Sequence, residues 1–587
     1  MPVKKQTKSL SSASDKNADV KPIVLVCILL IATIFRFLNL ASTPPGVFQD
    51  EAVNTMDALN RAGQVFYQAN NGREGLFMNL IAMSFKLLGP SVFSLRIVSA
   101  IIGVLTVLGV YLFAKQLFKK DFIALLSSFF CAISFWHVNF SRISFRVIML
   151  PFVLVFFGFF LLKALDRLKE KKDAIREFIL AGIFYGMGFY TYTTFRVTAL
   201  VMPLIVLLYW FVNSKNKKER TAFIKGNLIF VLMIALAVMP LAIYFFGHPA
   251  DFFGRTSQVT IFAQASPIKA LCTSIFYHFA MYNVAGDCNW RHNVACLPQL
   301  SWPIGSLFLI GMIILFWIIF DNLRARSIKL EKFLPHLILL LMFFSALAPA
   351  VLTYEGIPHA LRTLGTAPFA YIIAAFGAWY LISKVEATKS FKKYPEFFNL
   401  LGMIFLIVLA FWEYDLYFSV WANKPEVKSA FSHNYVELAR VLNQFDSNTN
   451  IYLIANGDNS TYELESMRFM EYEGKKYDYK PQWHYLTSWD KDLISISKGA
   501  PVLSINRLDD NSAFPAINDK VKTLLNEKSP NELTIIANYD TLGDNFDSTK
   551  NNLLDLYSTV KSYKLKNFVV IIHSNDEILQ KIKDSLN

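Results

Sequence analysis

Long apolar runs constrain this chain more than anything else in its 587 residues. A helix that crosses a bilayer needs roughly 20 consecutive apolar residues. With no water to bond the backbone, only helices and closed barrels can cross. Runs of that kind lie near 22–40, 96–118, 121–140, 144–165, 178–195, 197–213, 226–246, 303–320, 333–352, 366–383 and 397–418, about eleven spans on that criterion. The chain therefore reads as a polytopic α-helical membrane protein. The apolar stretch 75–89 is too short to span and reads as an interfacial or re-entrant helix. Composition agrees, with 54% apolar and only 17% charged residues, where a soluble chain is nearer about 25% charged.

The net charge of +14 invites a nucleic-acid reading, but the Lys and Arg residues cluster in short segments between apolar runs. Basic segments recur at 166–177, at 213–225, at Arg324, Arg326, Lys329 and Lys332, and at Lys384, Lys389, Lys392 and Lys393. These alternate along the chain as cytoplasmic loops do. The basic tail 1–21 falls on the same side. No small-residue cleavage site follows it, so the first apolar run reads as a retained span. The opposite, extracytoplasmic side then holds outer loops 41–95 and 247–302, a short loop at 353–365, and everything after about 420. The transmembrane domain is 22–420. The segment 421–587 changes character, with short apolar runs at 450–455, 501–505, 533–537 and 567–573 alternating with helical patterns near 433–445 and 549–562. It reads as a C-terminal soluble α/β domain.

The candidate chemistry sits on the outer side. Asp50-Glu51 follows a Pro-Pro-Gly turn after the first span and is flanked by Val47, Phe48, Ala52 and Val53. A solvated loop tip is the plain alternative, but polar groups at the mouth of a helix bundle line cavities. Arg73 and Glu74 either pair with each other or face the same cavity. Arg142, Arg146, Arg196 and Arg362 recur at outer ends of spans, against the positive-inside trend. Snorkelling to headgroups explains such arginines; so does an anionic ligand, because the planar guanidinium donates two bonds to a phosphate at once. The second outer loop contains Asp287, Arg291 and His292 within Gly286-Asp-Cys-Asn-Trp-Arg-His-Asn, and the third contains His359. Cys288, His292 and Cys296 are spaced four apart, which on a helix would put three ligands on one face. Zinc takes four ligands, or three plus water, and a disulfide or free thiols fit the pair better on an oxidising side. No metal or cofactor is expected. Phosphate loops, zinc-protease helices and nucleophile elbows are absent from the sequence, which argues against a nucleotide-driven enzyme.

Phe48-Gln-Asp-Glu-Ala resembles the Asp-Glu motif of the GT-C membrane glycosyltransferases. The nearest branch is the protein O-mannosyltransferase and aminoarabinose-transferase group, bacterial family 39-type. Gly75-Leu-Phe, then Leu87-Leu-Gly-Pro-Ser-Val-Phe-Ser-Leu-Arg-Ile-Val-Ser-Ala-Ile-Ile-Gly, is similar to that group's apolar helix, glycine turn and span start. Arg96 and Gly103 keep two of its positions; Val98 stands where the pattern often has proline. The resemblance covers about 22–240 and is looser to 420, where Asp287–Asn293 and His359–Arg362 look like segments of bacterial members. It implies a GT-C-like fold, a polyprenyl-phosphate sugar donor, an extracytoplasmic acceptor and no catalytic metal. Asp50 and Glu51 would be the catalytic pair. Arg362, Arg73, Arg142, Arg146 and Arg196 would be candidates for the donor phosphate, with Glu74, His359, Asp287, Arg291 and His292 in substrate-facing loops. A carrier or flippase of lipid-linked sugars is the alternative. Paired repeats and midplane charges, the marks of a carrier, are missing from the sequence.

Overall fold

The computed structural model describes residues 20–213, 217–324, 330–445, 450–455, 460–486, 502–505, 533–539, 546–560 and 565–572. Most of the basic tail, parts of the basic loops at 213–225 and 321–332, and the outer ends of the expected strands at 501 and 573 lie outside them. The chain divides into two compact units. One comprises 1–40, 62–81 and 96–423; the other comprises 41–61, 82–95 and 424–587.

The first unit is helical. Helix α1 (Val20–Phe37) opens it; α2 (Gln49–Asn60), next in the chain, is part of the second unit. Short strands β1 (Phe66–Tyr67) and β2 (Arg73–Glu74) pair antiparallel with Phe66 opposite Glu74. The apolar stretch after them is α3 (Leu76–Leu88). There follow α4 (Val92–Phe118), α5 (Asp121–Ile133), α6 (Phe135–Arg142), α7 (Met149–Lys169), α8 (Ile175–Gly188), α9 (Val201–Asn213), α10 (Lys217–Gly247), α11 (Pro249–Val259), α12 (Pro267–Ala280), α13 (Trp302–Arg324), α14 (Leu330–Val351), α15 (Ala367–Glu386) and α16 (Pro395–Asp415). Among the described residues seven helices are long and apolar enough to cross a membrane, or eight if the bent pair α5–α6 counts as one span. The difference from eleven lies in shorter helices at 22–37 and 195–211 and at Ile175–Gly188, which is 14 residues long. Helix α8 gives way to turns over 189–194, a Tyr/Thr-rich stretch of poor helix formers.

Helix α15 runs through the middle of this unit, packed on α13 and α5, and is buried from Ala367 to Ala378. Its approach to α13 depends on Gly311, where a Cβ would lie 2.1 Å from the Ile373 carbonyl oxygen. Small residues let apolar helices come this close in a bilayer.

The span 121–142 is broken. Ser134 adopts ψ 127°, and α5 and α6 meet at 56°. A break in a helix leaves carbonyls at one end and N–H groups at the other without partners, which inside a bundle is costly. Two buried charges take these ends. The Arg36 guanidinium donates to the carbonyls of Cys131 (3.0 Å) and Ala132 (2.9 Å), which end α5, and lies 2.7 Å from His137 Nδ1. Glu413 on α16 accepts the Phe135 N–H at 2.8 Å, at the start of α6. Arg142, at the end of α6, donates in turn to the carbonyls of Phe35 (2.9 Å) and Leu38 (2.6 Å), which end α1. Arg96 lies 3.4 Å from the Leu40 carbonyl. Arg36, Arg96 and Arg142 are fully buried. Gly103 of α4 makes room for this packing, since a Cβ there would meet Ser141 Oγ at 2.4 Å and Arg36 Nε at 2.8 Å.

In the second unit a five-stranded sheet has all pairs parallel, built from β3 (Asn450–Ala455), β4 (His484–Leu486), β5 (Val502–Ile505), β6 (Leu533–Tyr539) and β7 (Leu565–Ile572), in the order β4-β3-β7-β6-β5. Helices α17 (His433–Leu442), α18 (Ser460–Glu471) and α19 (Phe546–Val560) accompany it. The outer-loop helix α2 belongs here, packed on α18. Ser466 Oγ donates to the Val47 carbonyl at 2.9 Å, and Tyr477 Oη to that of Ala58 at 3.2 Å. Gly46, at φ +79°, leaves no space for a Cβ against the Phe431 carbonyl.

Replacing Arg36 by Met should strand the Cys131 and Ala132 carbonyls, at about 1–3 kcal/mol for each buried unpaired group. The expected outcome is a marked fall in the thermal aggregation midpoint of the detergent-purified protein. Arg324→Met, in the basic segment at the end of α13, should leave that midpoint nearly unchanged.

Candidate functional site

Asp50 and Glu51 occupy the first turn of α2, where the partial positive charge of a helix N-terminus favours acids. They differ in their surroundings. Glu51 is fully buried, and its Oε2 accepts the Phe48 N–H at 3.1 Å, so it holds the helix start. Asp50 is half-buried. Both lie in the second unit.

The arginines predicted as phosphate ligands sort into distinct environments in the first unit. Arg146 and Arg196, from different turns, converge on one carboxylate. Glu74 is 1% exposed; its Oε2 lies 2.8 Å from Arg146 Nη1 and its Oε1 lies 3.1 Å from Arg196 Nη2. Glu74 thus pairs with these two arginines, where the sequence offered Arg73 as its partner. The antiparallel β1–β2 pairing explains the choice, because successive residues of a strand point to opposite faces. Arg146 stacks over Tyr192 at 5.3 Å and Arg196 over Phe252 at 4.3 Å. Two guanidinium groups share one carboxylate, and Arg196 also donates to the Phe252 carbonyl at 2.6 Å. Arg73 is buried and its Nε donates to the Ala69 carbonyl at 3.2 Å. Arg142 is occupied with the end of α1, as described above. Arg362 pairs with the exposed Glu355 at 2.5 Å and bonds its carbonyl as well.

A second cluster ties together the loops that carry Asp287 and His359. Cys288 and Cys296 form a disulfide, and the loop between them is not helical, which removes the helical ligand face that their spacing suggested. Asp287 is buried. Its Oδ2 lies 2.8 Å from His292 Nδ1 and accepts the Ala360 N–H at 2.8 Å, while its Oδ1 accepts the Asn289 N–H at 2.8 Å. Arg291 bonds Asn289 Oδ1 through its Nε at 3.1 Å. Burial alone opposes ionisation of Asp287, but the His292 hydrogen bond, the neighbouring imidazoles and the Asn289 N–H outweigh it and hold its carboxyl at about 2. Burial keeps His359 well below the ordinary histidine range, reinforced by the positive charges of His292, Arg362 and Arg291, against the attraction of Asp287. Asp287, His292 and His359 offer ligand atoms within 4.8 Å of one another. The hydrogen bonds already satisfy the carboxylate, and the two arginines oppose a second positive charge, so this group acts as a latch between loops.

Sequence reasoning passed over Arg36, His137 and Glu413. The available signal was an ionisable residue inside an apolar run, which in a membrane protein marks a position with a specific partner.

The resemblance to the GT-C membrane glycosyltransferases expected from the residues meets a family match over part of the chain. More narrowly, residues 76–244 match the family described as dolichyl-phosphate-mannose-protein mannosyltransferase. That match begins after Asp50-Glu51 and includes Arg142, Arg146 and Arg196. No curated protein matches the chain. Among solved structures, the Archaeoglobus fulgidus oligosaccharyltransferase in complex with Zn and sulfate is 16% identical over 76% of this chain and 61% of that one, with a TM-score of 0.45. ArnT from Cupriavidus metallidurans bound to undecaprenyl phosphate is 12% identical over 76% and 84%, with a TM-score of 0.45. The S. cerevisiae Pmt1-Pmt2 complex bound to the sugar donor is 19% identical over 40% and 34%, with a TM-score of 0.32. The chain thus spans about three-fifths of the archaeal enzyme's length.

The latch sets a pH dependence. An unfolded histidine protonates near pH 6.5, whereas folded His359 stays neutral there, so the unfolded state binds more protons as the pH falls and stability drops. Asp287 adds a second loss only below about pH 4, where its unfolded counterpart protonates. The melting midpoint of the detergent-solubilised protein should therefore fall between pH 7 and 5. His359→Gln should flatten that part of the profile.

Proposed function

We propose that the protein transfers a sugar from a polyprenyl-phosphate donor to an acceptor on the extracytoplasmic side of a membrane, the acceptor being a protein, a lipid or a cell-envelope glycan. The observation that carries this reading is the pair Arg146 and Arg196 on buried Glu74, within the segment that matches the mannosyltransferase family. Sugar transfer from a lipid phosphate releases a phosphate whose negative charge grows in the transition state. Preorganised arginines in a water-poor setting stabilise such charge strongly. Glu74 balances one of the two guanidinium charges and fixes both forks, leaving one positive charge for the donor. Arg146 and Arg196 therefore replace Arg362 as the first choice for the donor phosphate, because Arg362 is matched by its own carboxylate. Arg73 and Arg362 remain secondary candidates.

Asp50 is the proposed base, taking the proton from the acceptor as it attacks the sugar carbon, and Glu51 positions it by holding the start of α2. In this reaction the acceptor–carbon bond forms, the carbon–oxygen bond to the phosphate breaks, and the acceptor proton passes to Asp50. The basic loops support a cytoplasmic N-terminus and an extracytoplasmic C-terminal α/β domain. An apolar cavity of about 330 Å³ between α1, α5 and α16, lined by residues such as Ile31, Phe129 and Phe411, is suited to an isoprenoid tail.

The test is transfer by the purified protein from a panel of polyprenyl-phosphate sugars. Asp50→Asn should lower turnover by about 10²–10⁴-fold, the range of a general base. Arg146→Lys and Arg196→Lys, which keep charge but lose the fork, should each lower it by about tenfold or more, a loss of at least about 1.4 kcal/mol in transition-state stabilisation. Undiminished turnover in Asp50→Asn removes the base; undiminished turnover in both lysine variants removes the phosphate site.

A further inference from the structure

A cavity of about 150 Å³ lies at one end of α16 in the first unit, away from Glu74 and its arginines in sequence and in lining. Phe135, Asn293, Gln299, Ser301, Trp302, Trp412 and Glu413 are among its walls. Its polar lining is unusual. Glu413 is 2% exposed and Gln299 is 3% exposed. Both atoms of the Gln299 amide are buried without a hydrogen-bond partner in the protein, and Glu413 Oε1 has only the neighbouring Ser301 hydroxyl, outside ordinary hydrogen-bond geometry, to interact with. The other carboxylate oxygen of Glu413 is committed to the Phe135 N–H. Among the described residues no Lys, Arg or His forms an ion pair with Glu413.

Buried polar groups in folded proteins find partners, and several orphans facing one cavity call for an occupant. The occupant's chemistry follows from the inventory. The lining offers a carboxylate oxygen, an amide oxygen and a hydroxyl oxygen, all hard donors, and a single formal negative charge. A buried carboxylate without a positive partner is strongly unfavourable and must be neutralised. Oxygen-only donor sets suit hard cations, and divalent ions of that class draw on more carboxylates or several retained waters. One carboxylate with neutral oxygens balances a single positive charge. The cavity has room for an ion with one or two waters, each water taking roughly 30 Å³.

We propose that this cavity binds a sodium ion held by Glu413, Gln299 and Ser301. The ion neutralises the same carboxylate that caps α6, so its binding stabilises the broken span. This inference is independent of the proposed glycosyl transfer and holds whether or not that activity exists.

The experiment uses the full-length protein in detergent. Its melting midpoint is measured in sodium chloride and in choline chloride at equal ionic strength, and ²²Na binding is measured by equilibrium dialysis. Sodium should raise the midpoint over choline and bind at about one ion per chain. Glu413→Gln keeps an acceptor for the Phe135 N–H and should abolish both effects. Ser301→Ala should weaken the apparent affinity by about tenfold while leaving the choline midpoint close to that of the parent. Should Glu413→Gln fail to fold, Gln299→Ala takes its place with the same expected weakening. Equal midpoints in both salts with no bound ²²Na overturn the proposal, in favour of a protonated Glu413 or trapped water. So does sodium binding that persists unchanged in the Glu413, Gln299 and Ser301 variants.

Discussion

A broken helix inside an apolar bundle is the constraint on which the first unit depends. The span 121–142 turns through 56° at Ser134, and a turn there leaves backbone groups that lipid cannot satisfy. Arg36 meets the carbonyl end and Glu413 meets the N–H end, each charge opposite in sign to the helix terminus that it faces. The two come from the first and last long helices of the unit, so closing the break draws α1 and α16 onto the same span. Arg142 at the end of α6 then fixes the end of α1. The break also places Trp136, whose indole N–H donates to the Ala360 carbonyl at 3.1 Å, next to the loop that carries His359 and Arg362.

The outer loops use the same principle on a smaller scale. Asp287 gathers backbone and side-chain donors from two loops, and a disulfide closes the first of them. Glu74 gathers two arginines that stand about 50 residues apart in sequence. In each case one buried acid ties together short segments that lie far apart in the sequence. A carboxylate does this well because its two oxygens accept several bonds at once, and burial raises the penalty for leaving any of them unmade.

Much of the helical architecture was legible because apolar run length is a direct consequence of bilayer thickness. Four strand positions in the tail were legible as short apolar runs, but β4 (His484–Leu486) was not, nor was the parallel order, since register depends on partners far away in sequence. Arg96 and Gly103 were picked out by resemblance; the structure supplies the reason, a buried guanidinium at the end of the first helix and a contact with Arg36 too close for a side chain. The arginines looked equivalent in sequence because each sits near a span end. Burial and partners separate them: Arg142 is committed to α1, Arg362 to Glu355, and Arg146 and Arg196 to a shared acid. Arg36 and Glu413 carried a signal, an ionisable residue within an apolar run, but the helix break that they close depends on packing and was not legible.

The segment that carries Asp50 packs on α18, which begins about 400 residues later in the chain. The consequence concerns order in time. A ribosome finishes the loop that carries α2 long before it makes the surface against which that loop packs. Until then Gly46, Val47 and Ala58 lack their neighbours and α2 lacks its packing face. The acidic pair therefore takes its final setting only after about 400 further residues have been made, so a product that stops before α18 retains the residues without the setting.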